Sequence, residues 1–271
     1  MERDILALIN KENHKFSKGQ RMICRYISEN YDKAAFMTAG KLGQTVGVSE
    51  STVVRFATEL GYDGYPGMRR AMQEMIRNRM TSVQRLEMTS TNIPLDRLLD
   101  SSMDQDIDII RRTKESISHE EFYRAADALV KVKKVYIIGA GSSLAIATFL
   151  SHYFSLVFDS VQLISATSEA QILQQMVHIG EGDALIGISF PRYSKRTLSA
   201  MKYARDRGAR VIALTDSQLS PLARVADHVL LARSDMASFV DSLVAPLSVI
   251  NALIVAVGMS RRDEIEQTFN K

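Results

Sequence analysis

A single cysteine, Cys24, in 271 residues leaves no internal disulfide to form. With one thiol and no cluster of histidines, a structural zinc site is excluded as well. A reducing, cytoplasmic compartment is the expectation that follows. The opening MERDILALINKENHKF is charged within its first four residues and has neither an apolar core of signal-peptide length nor a small-residue cleavage site, so export is not expected. Long apolar runs are also scarce. Only Phe239–Met259 approaches membrane length, and it contains Asp241, Pro246 and Asn251, so it reads as a buried helix. No internal repeat or low-complexity tract occurs. Charge of one sign is not in excess, since 34 Lys and Arg face 31 Asp and Glu. Residues 1–88 nevertheless carry a net charge of +4 and the remainder −1, which points to a polyanion contact confined to the front third.

What is present suffices for cores: 46% of residues are apolar and 24% charged. Residues 1–79 read as short helices. Ser17 and Gln20 have the spacing of a capping box, with Met22, Ile23, Tyr26 and Ile27 on one face behind it. A helix is predicted over Thr38–Val46, a tight turn at Gly47-Val48, and a further helix capped by Ser49. Val53, Phe56, Ala57 and Leu60 form its apolar stripe. A polar stretch at 80–95, ending near Pro94, is the expected linker. Helical patterns follow over Leu95–Thr113 and Ser118–Val132. Five apolar runs then alternate with helix-sized segments: Val135–Ile138, Val161–Ile164, Ala184–Ile188, Val211–Leu214 and His228–Leu231. They predict an α/β domain with a five-stranded parallel sheet in flavodoxin-like order 2-1-3-4-5, covered by helices on both faces.

Thr38–Leu60 has the punctuation of a helix-turn-helix. With Val53, Phe56 and Leu60 facing inward, Ser51, Thr52 and Arg55 project outward, where hydroxyls and a guanidinium can meet phosphates and base edges. An ordinary helical hairpin with a solvated face satisfies the same spacing. The longer string TAGKLGQTVGVSESTVVRFATELGYDGYPGMRRAM, with its run Val48–Phe56 followed by Leu60-Gly61-Tyr62 and Gly64-Tyr65-Pro66, resembles the RpiR/MurR family of bacterial transcription regulators. That resemblance implies that the helix bearing Ser49, Ser51, Thr52 and Arg55 reads DNA. Arg69 and Arg70 would then suit phosphate contact.

In the second half, the first strand runs into Gly139-Ala-Gly141-Ser142-Ser143 at a helix start, where amides and hydroxyls can hold an anion. The full Gly-x-Gly-x-x-Gly pattern fails at Leu144, and no acidic residue ends the second strand, which disfavours NAD. The third strand runs into Ser189-Phe-Pro-Arg192-Tyr193-Ser194-Lys195-Arg196-Thr197, rich in hydroxyls and cations. With order 2-1-3-4-5 both loops border one crevice. They resemble the sugar isomerase (SIS) domain, which binds phosphorylated sugars through such turns. The resemblance matches Ser143 in the first turn and Ser189, Ser194 and Thr197 in the second, although four residues separate Ser189 from Ser194 and Lys195 replaces the family's glycine. Thr215-Asp216 and Ser220–Ala223 also resemble that domain.

For aldose–ketose isomerisation a carboxylate and a histidine are wanted. Glu169, after the second strand, can approach the crevice; His152 and His178 lie on helical segments, and Asp216 and Asp227 have no assigned partner. No proton-transfer pair emerges. The expectation is a cytoplasmic regulator and not an enzyme: a helix-turn-helix domain at 1–79 binds operator DNA, a linker spans 80–95, a SIS domain spans 96–260, and 261–271 forms a polar tail. The ligand site is expected to comprise Gly141, Ser142, Ser143, Glu169, Ser189, Arg192, Tyr193, Ser194, Lys195 and Thr197, with a phosphosugar as effector and no cofactor or metal. The resemblance implies a homodimer or higher homo-oligomer, with the apolar helix from Phe239 to Gly258 as interface. The alternative is a sugar-phosphate isomerase with a helical accessory domain.

Overall fold

The computed structural model of the chain describes residues 16–79, 93–234 and 240–262, together with Ile5, Leu8, Ile9, Val83 and Glu266. Most of the expected linker at 80–95 and of the tail at 261–271 lies outside the described residues. The chain divides into two compact units, Glu2–Arg85 and Leu86–Lys271.

In the first unit the starts of three helices follow from hydroxyl side chains placed one residue ahead of them. α1 (Lys18–Glu29) opens on a complete capping box, in which the Ser17 hydroxyl accepts from the Gln20 amide and the Gln20 side chain accepts from the Ser17 amide. A single turn, α2 (Tyr31–Ala34), leads to α3 (Ala39–Val46), capped by Thr38. Gly47 ends α3 in the left-handed region at φ 80°, which a side chain would resist. Ser49 then caps α4 (Glu50–Glu59), and α5 (Gly64–Arg79) closes the unit. Ile23, Ile27, Leu42, Val53, Phe56, Met68 and Met72 meet in its core, where Phe16 sits edge-on to Phe56 at 5.2 Å. Cys24 is buried there, and desolvation pushes its thiol up to about 11, so it is a core atom and not a nucleophile at neutral pH.

The second unit begins with a 3-10 turn at Leu95–Arg97, which runs into α6 (Leu98–Ser116) and then α7 (His119–Val130). The predicted helix at Leu95–Thr113 therefore starts three residues late and runs three further. Strands and helices then alternate: β1 (Lys134–Gly139), α8 (Ser143–Phe154), β2 (Val161–Ile164), α9 (Glu169–Gln175), β3 (Asp183–Ile188), α10 (Lys195–Asp206), β4 (Arg210–Thr215) and β5 (His228–Leu231). All pairings are parallel, in order β2-β1-β3-β4-β5. Alternate strand residues serve opposite faces. Val135, Ile137, Ile186, Ile212 and Leu230 pack with α7, α8 and the last helix, α11 (Val244–Ser260). Tyr136, Ile138, Leu185, Val211 and Ala213 pack with α9 and α10.

α11 differs from the sequence expectation at its start. Val240–Leu243 is not helical, and Phe239 lies outside the described residues. Ala245, Val249, Ile250, Leu253 and Val257 of α11 enter the domain's own core, which accounts for much of its apolarity without a partner. Among the described residues no helix is long and apolar enough to cross a membrane.

Candidate functional site

In the first unit, α3, the Gly47 turn and α4 form the helix-turn-helix. Ser51 and Arg55 are exposed on α4, opposite buried Val53, Phe56 and Ala57. Ser49 is committed to the helix start: its hydroxyl accepts from the Thr52 amide at 3.3 Å. Thr52 departs from its expected outward aim. It is half-buried, with its hydroxyl 2.8 Å from that of Ser49, because its methyl side leans toward α1 at Gly19.

Arg55 Nε lies 4.0 Å from Glu59 Oε1, with both side chains largely exposed, a pair too weak to keep the guanidinium from a duplex. Glu59 has a second partner that sequence reading missed, the buried Gln20, whose amide donates to it and so ties α1 to the end of α4. The signal was a Gln whose side-chain oxygen was already assigned to a cap, which leaves its NH2 to find an acceptor.

Arg70 is exposed, as expected of a phosphate contact, whereas Arg69 is half-buried and its Nε has no hydrogen-bond partner among the described residues. Its charge acts on Tyr65, whose phenol is nevertheless pushed up to about 12 by burial. That phenol donates to the Met37 carbonyl at 3.0 Å, fixing α5 against the segment before α3. Arg55→Ala is expected to cost about 1–3 kcal/mol at a specific duplex if the guanidinium forks onto a base. Titrating specific and scrambled duplexes at one salt concentration checks this: equal losses would move Arg55 to the backbone, and no loss would remove α4 from the interface.

In the second unit the two anion-suited loops follow β1 and β3, adjacent strands between which the chain reverses its direction of travel across the sheet. Ligands on open parallel sheets bind at this position. Gly141 and Ser142 are exposed in the first loop, and Ser143 is buried as the first residue of α8.

In the second loop Ser189 is buried, and its hydroxyl accepts from the Ser194 amide at 2.9 Å. Ser194 caps α10, accepting from the Thr197 amide at 3.2 Å. Each serine thus uses a lone pair locally and keeps its O–H proton to give. Thr197 is fully buried, and its hydroxyl has no hydrogen-bond partner among the described residues. A buried hydroxyl in that state is unusual and costs free energy that an incoming acceptor returns.

Arg192 is the sole non-glycine among the described residues with positive φ, at 71°. Such strain marks functional positions more often than neutral ones. Its guanidinium donates to both oxygens of Asp241, at 3.3 and 3.2 Å, and the Ser142 hydroxyl donates to Asp241 Oδ2 at 3.1 Å. Asp241 thus joins the two loops, a role that sequence reading missed, having used it there only as an argument against a membrane span.

The remaining expected residues divide. Tyr193 donates to Asp216 Oδ1 at 2.9 Å, and Asp227 accepts from the Val211 amide at 2.8 Å, so both aspartates have the partners that sequence reading could not assign. Lys195 is exposed on the first turn of α10. Glu169 opens α9, exposed and hydrogen-bonded to none of the residues in the two loops. Among the described residues no group of three His, Cys, Asp or Glu is placed to hold a metal.

Two family models match the chain. Residues 3–79 match the helix-turn-helix domain of the rpiR family, and residues 128–256 match the SIS domain. The transcriptional regulator HexR of Pseudomonas aeruginosa is 24% identical over 265 residues, covering 96% of this chain and 90% of that protein. Among solved structures, the sugar isomerase domain of an RpiR transcription factor from Sphaerobacter thermophilus superposes with a TM-score of 0.61 at 27% identity, covering 64% of this chain and 97% of that one. The NanR protein of Vibrio vulnificus, complexed with ManNAc-6P, superposes with a TM-score of 0.59 at 21% identity over 98% of this chain and 97% of its own.

Proposed function

The chain belongs to the rpiR family of transcription regulators, a helix-turn-helix domain joined to a SIS domain, and from that premise we propose that a phosphosugar held between the loops after β1 and β3 alters its affinity for an operator. The observation that carries the ligand site is the convergence of Ser142, Ser143, Ser189, Ser194 and the unpartnered Thr197 hydroxyl at two helix starts flanking one strand reversal. Hydroxyls and helix-start amides suit a phosphoryl group, and the sugar phosphate ManNAc-6P bound to NanR is consistent with that chemistry.

The mechanism is linkage: a ligand that fits one arrangement of a homodimer better than another shifts its population, and operator affinity follows. Support for a second copy comes from α6, which leaves Leu99, Met103, Ile107 and Ile110 exposed at spacings that share one helix face. The domain senses without turning its ligand over, since among the described residues Glu169 shares no hydrogen bond or ion pair with a histidine, the carboxylate–histidine contact there being Glu121 with His228.

The test is an operator mobility shift with a panel of phosphosugars, each also followed by NMR of the carbohydrate after long incubation. At least one is expected to change operator affinity about fivefold or more and to remain unchanged itself. Interconversion above a Glu169→Gln control would establish an isomerase instead.

A further inference from the structure

We propose that Asp241 is an internal competitor for the anion site, an inference that rests on the phosphate reading of the two loops. Its carboxylate takes the Ser142 hydroxyl and the Arg192 guanidinium, donors from two loops that a phosphate would recruit. The three residues are 49 and 99 positions apart in sequence, so the contact is a product of the fold and not of local geometry. Asp241 is the more enclosed partner, its side chain 19% exposed against 47% for Arg192. The left-handed backbone at Arg192 accompanies that aim of the guanidinium.

The competitor sets what can enter. A phosphate monoester carries nearly two negative charges and three acceptor oxygens, against one charge and two oxygens for Asp241. A phosphoryl group therefore displaces the aspartate. A carboxylate from solution exchanges like for like, against a rival whose tether gives it a high effective concentration. Asp241 thereby selects phosphorylated sugars over sugar acids. Displacement is also a signal. The next residue, Ser242, donates to Asp106 of α6 at 2.7 Å, and α11 begins two residues later, so releasing Asp241 loosens a segment anchored to both helices.

The experiment uses the full chain, wild type and Asp241→Asn, with inorganic phosphate and gluconate as probes in calorimetry. Asn keeps the size and one acceptor but not the charge. The variant is expected to bind phosphate at least tenfold more tightly and to bind gluconate measurably where the wild type does not. Hydrogen exchange at Val240–Leu243 is expected to rise in the wild type when phosphate is added. Asp241→Ser, which shortens the side chain, guards against a fault peculiar to Asn and is expected to tighten phosphate binding likewise. Phosphate affinity unchanged or weakened in both variants would overturn the competitor and leave the site standing. Phosphate bound by none of the three proteins would overturn the site and the competitor together.

Discussion

Replacing Ser189 and Ser194 together with alanine is expected to abolish the effect of a phosphosugar on operator binding while leaving DNA binding by the free protein intact. Both O–H groups remain to be donated after their oxygens have accepted local amides, so the double change removes two donors from one side of the cleft. The same change leaves the Ser194 and Thr197 amides without their side-chain acceptors, at a cost to the fold of about 1 kcal/mol each. Thr197→Val separates the two effects. The valine keeps the shape and removes a buried hydroxyl that has no partner among the described residues, so stability is expected to hold or to rise by about 1 kcal/mol. Ligand affinity is nevertheless expected to fall about tenfold, the equivalent of about 1.4 kcal/mol. Calorimetry paired with thermal unfolding reads both quantities. If affinity is untouched in all of these variants, the hydroxyls only start helices.

Gly139→Ala is expected to destabilise the second unit by about 3 kcal/mol, among the larger effects a single methyl can have. A Cβ at this position would stand 2.5 Å from the Ser143 carbonyl oxygen and 2.8 Å from its carbon, both backbone atoms of the first turn of α8. Neither can rotate aside as a side chain would. The turn must move away from β1 or the strand must shift in the centre of the sheet. Because that turn also presents Ser142 and Ser143, ligand affinity should fall with stability. Denaturant unfolding of the variant measures the loss, and a loss below about 1 kcal/mol would mean that α8 can slide on the sheet.

Much of this arrangement is written in short-range chemistry. Ser17, Thr38, Ser49, Ser118 and Ser194 each stand one residue ahead of a helix and cap it, and a hydroxyl before an apolar period is visible in a sequence without any structure. The three central strands, β1, β3 and β4, were legible because both faces are buried, which turns them into unbroken apolar runs between polar segments, whereas the edge strands β2 and β5 are mostly half-buried and shorter. What escaped were pairings across long separations. Asp241 with Arg192, Gln20 with Glu59 and Tyr193 with Asp216 depend on where distant elements come to rest, and no local period encodes that. Thr52 escaped for a related reason: helical spacing assigned it a direction, and the neighbouring helix gave it a contact. At Val240–Leu243 an apolar run suggested helix, yet Asp241 and Ser242 are drawn into side-chain bonds and the helix starts only at Val244.

The strand order has a consequence for how the molecule comes into being. β1 leaves the ribosome before both of its neighbours and must wait for β3, some fifty residues later, before the cleft between them exists. Such non-local pairing is slow, whereas helices joined by short turns collapse quickly. At a synthesis rate of about 5–20 residues per second, the front unit has seconds in which to fold alone. A nascent chain therefore acquires its DNA-reading surface before its metabolite cleft is assembled, and for that interval operator affinity is answerable to no ligand.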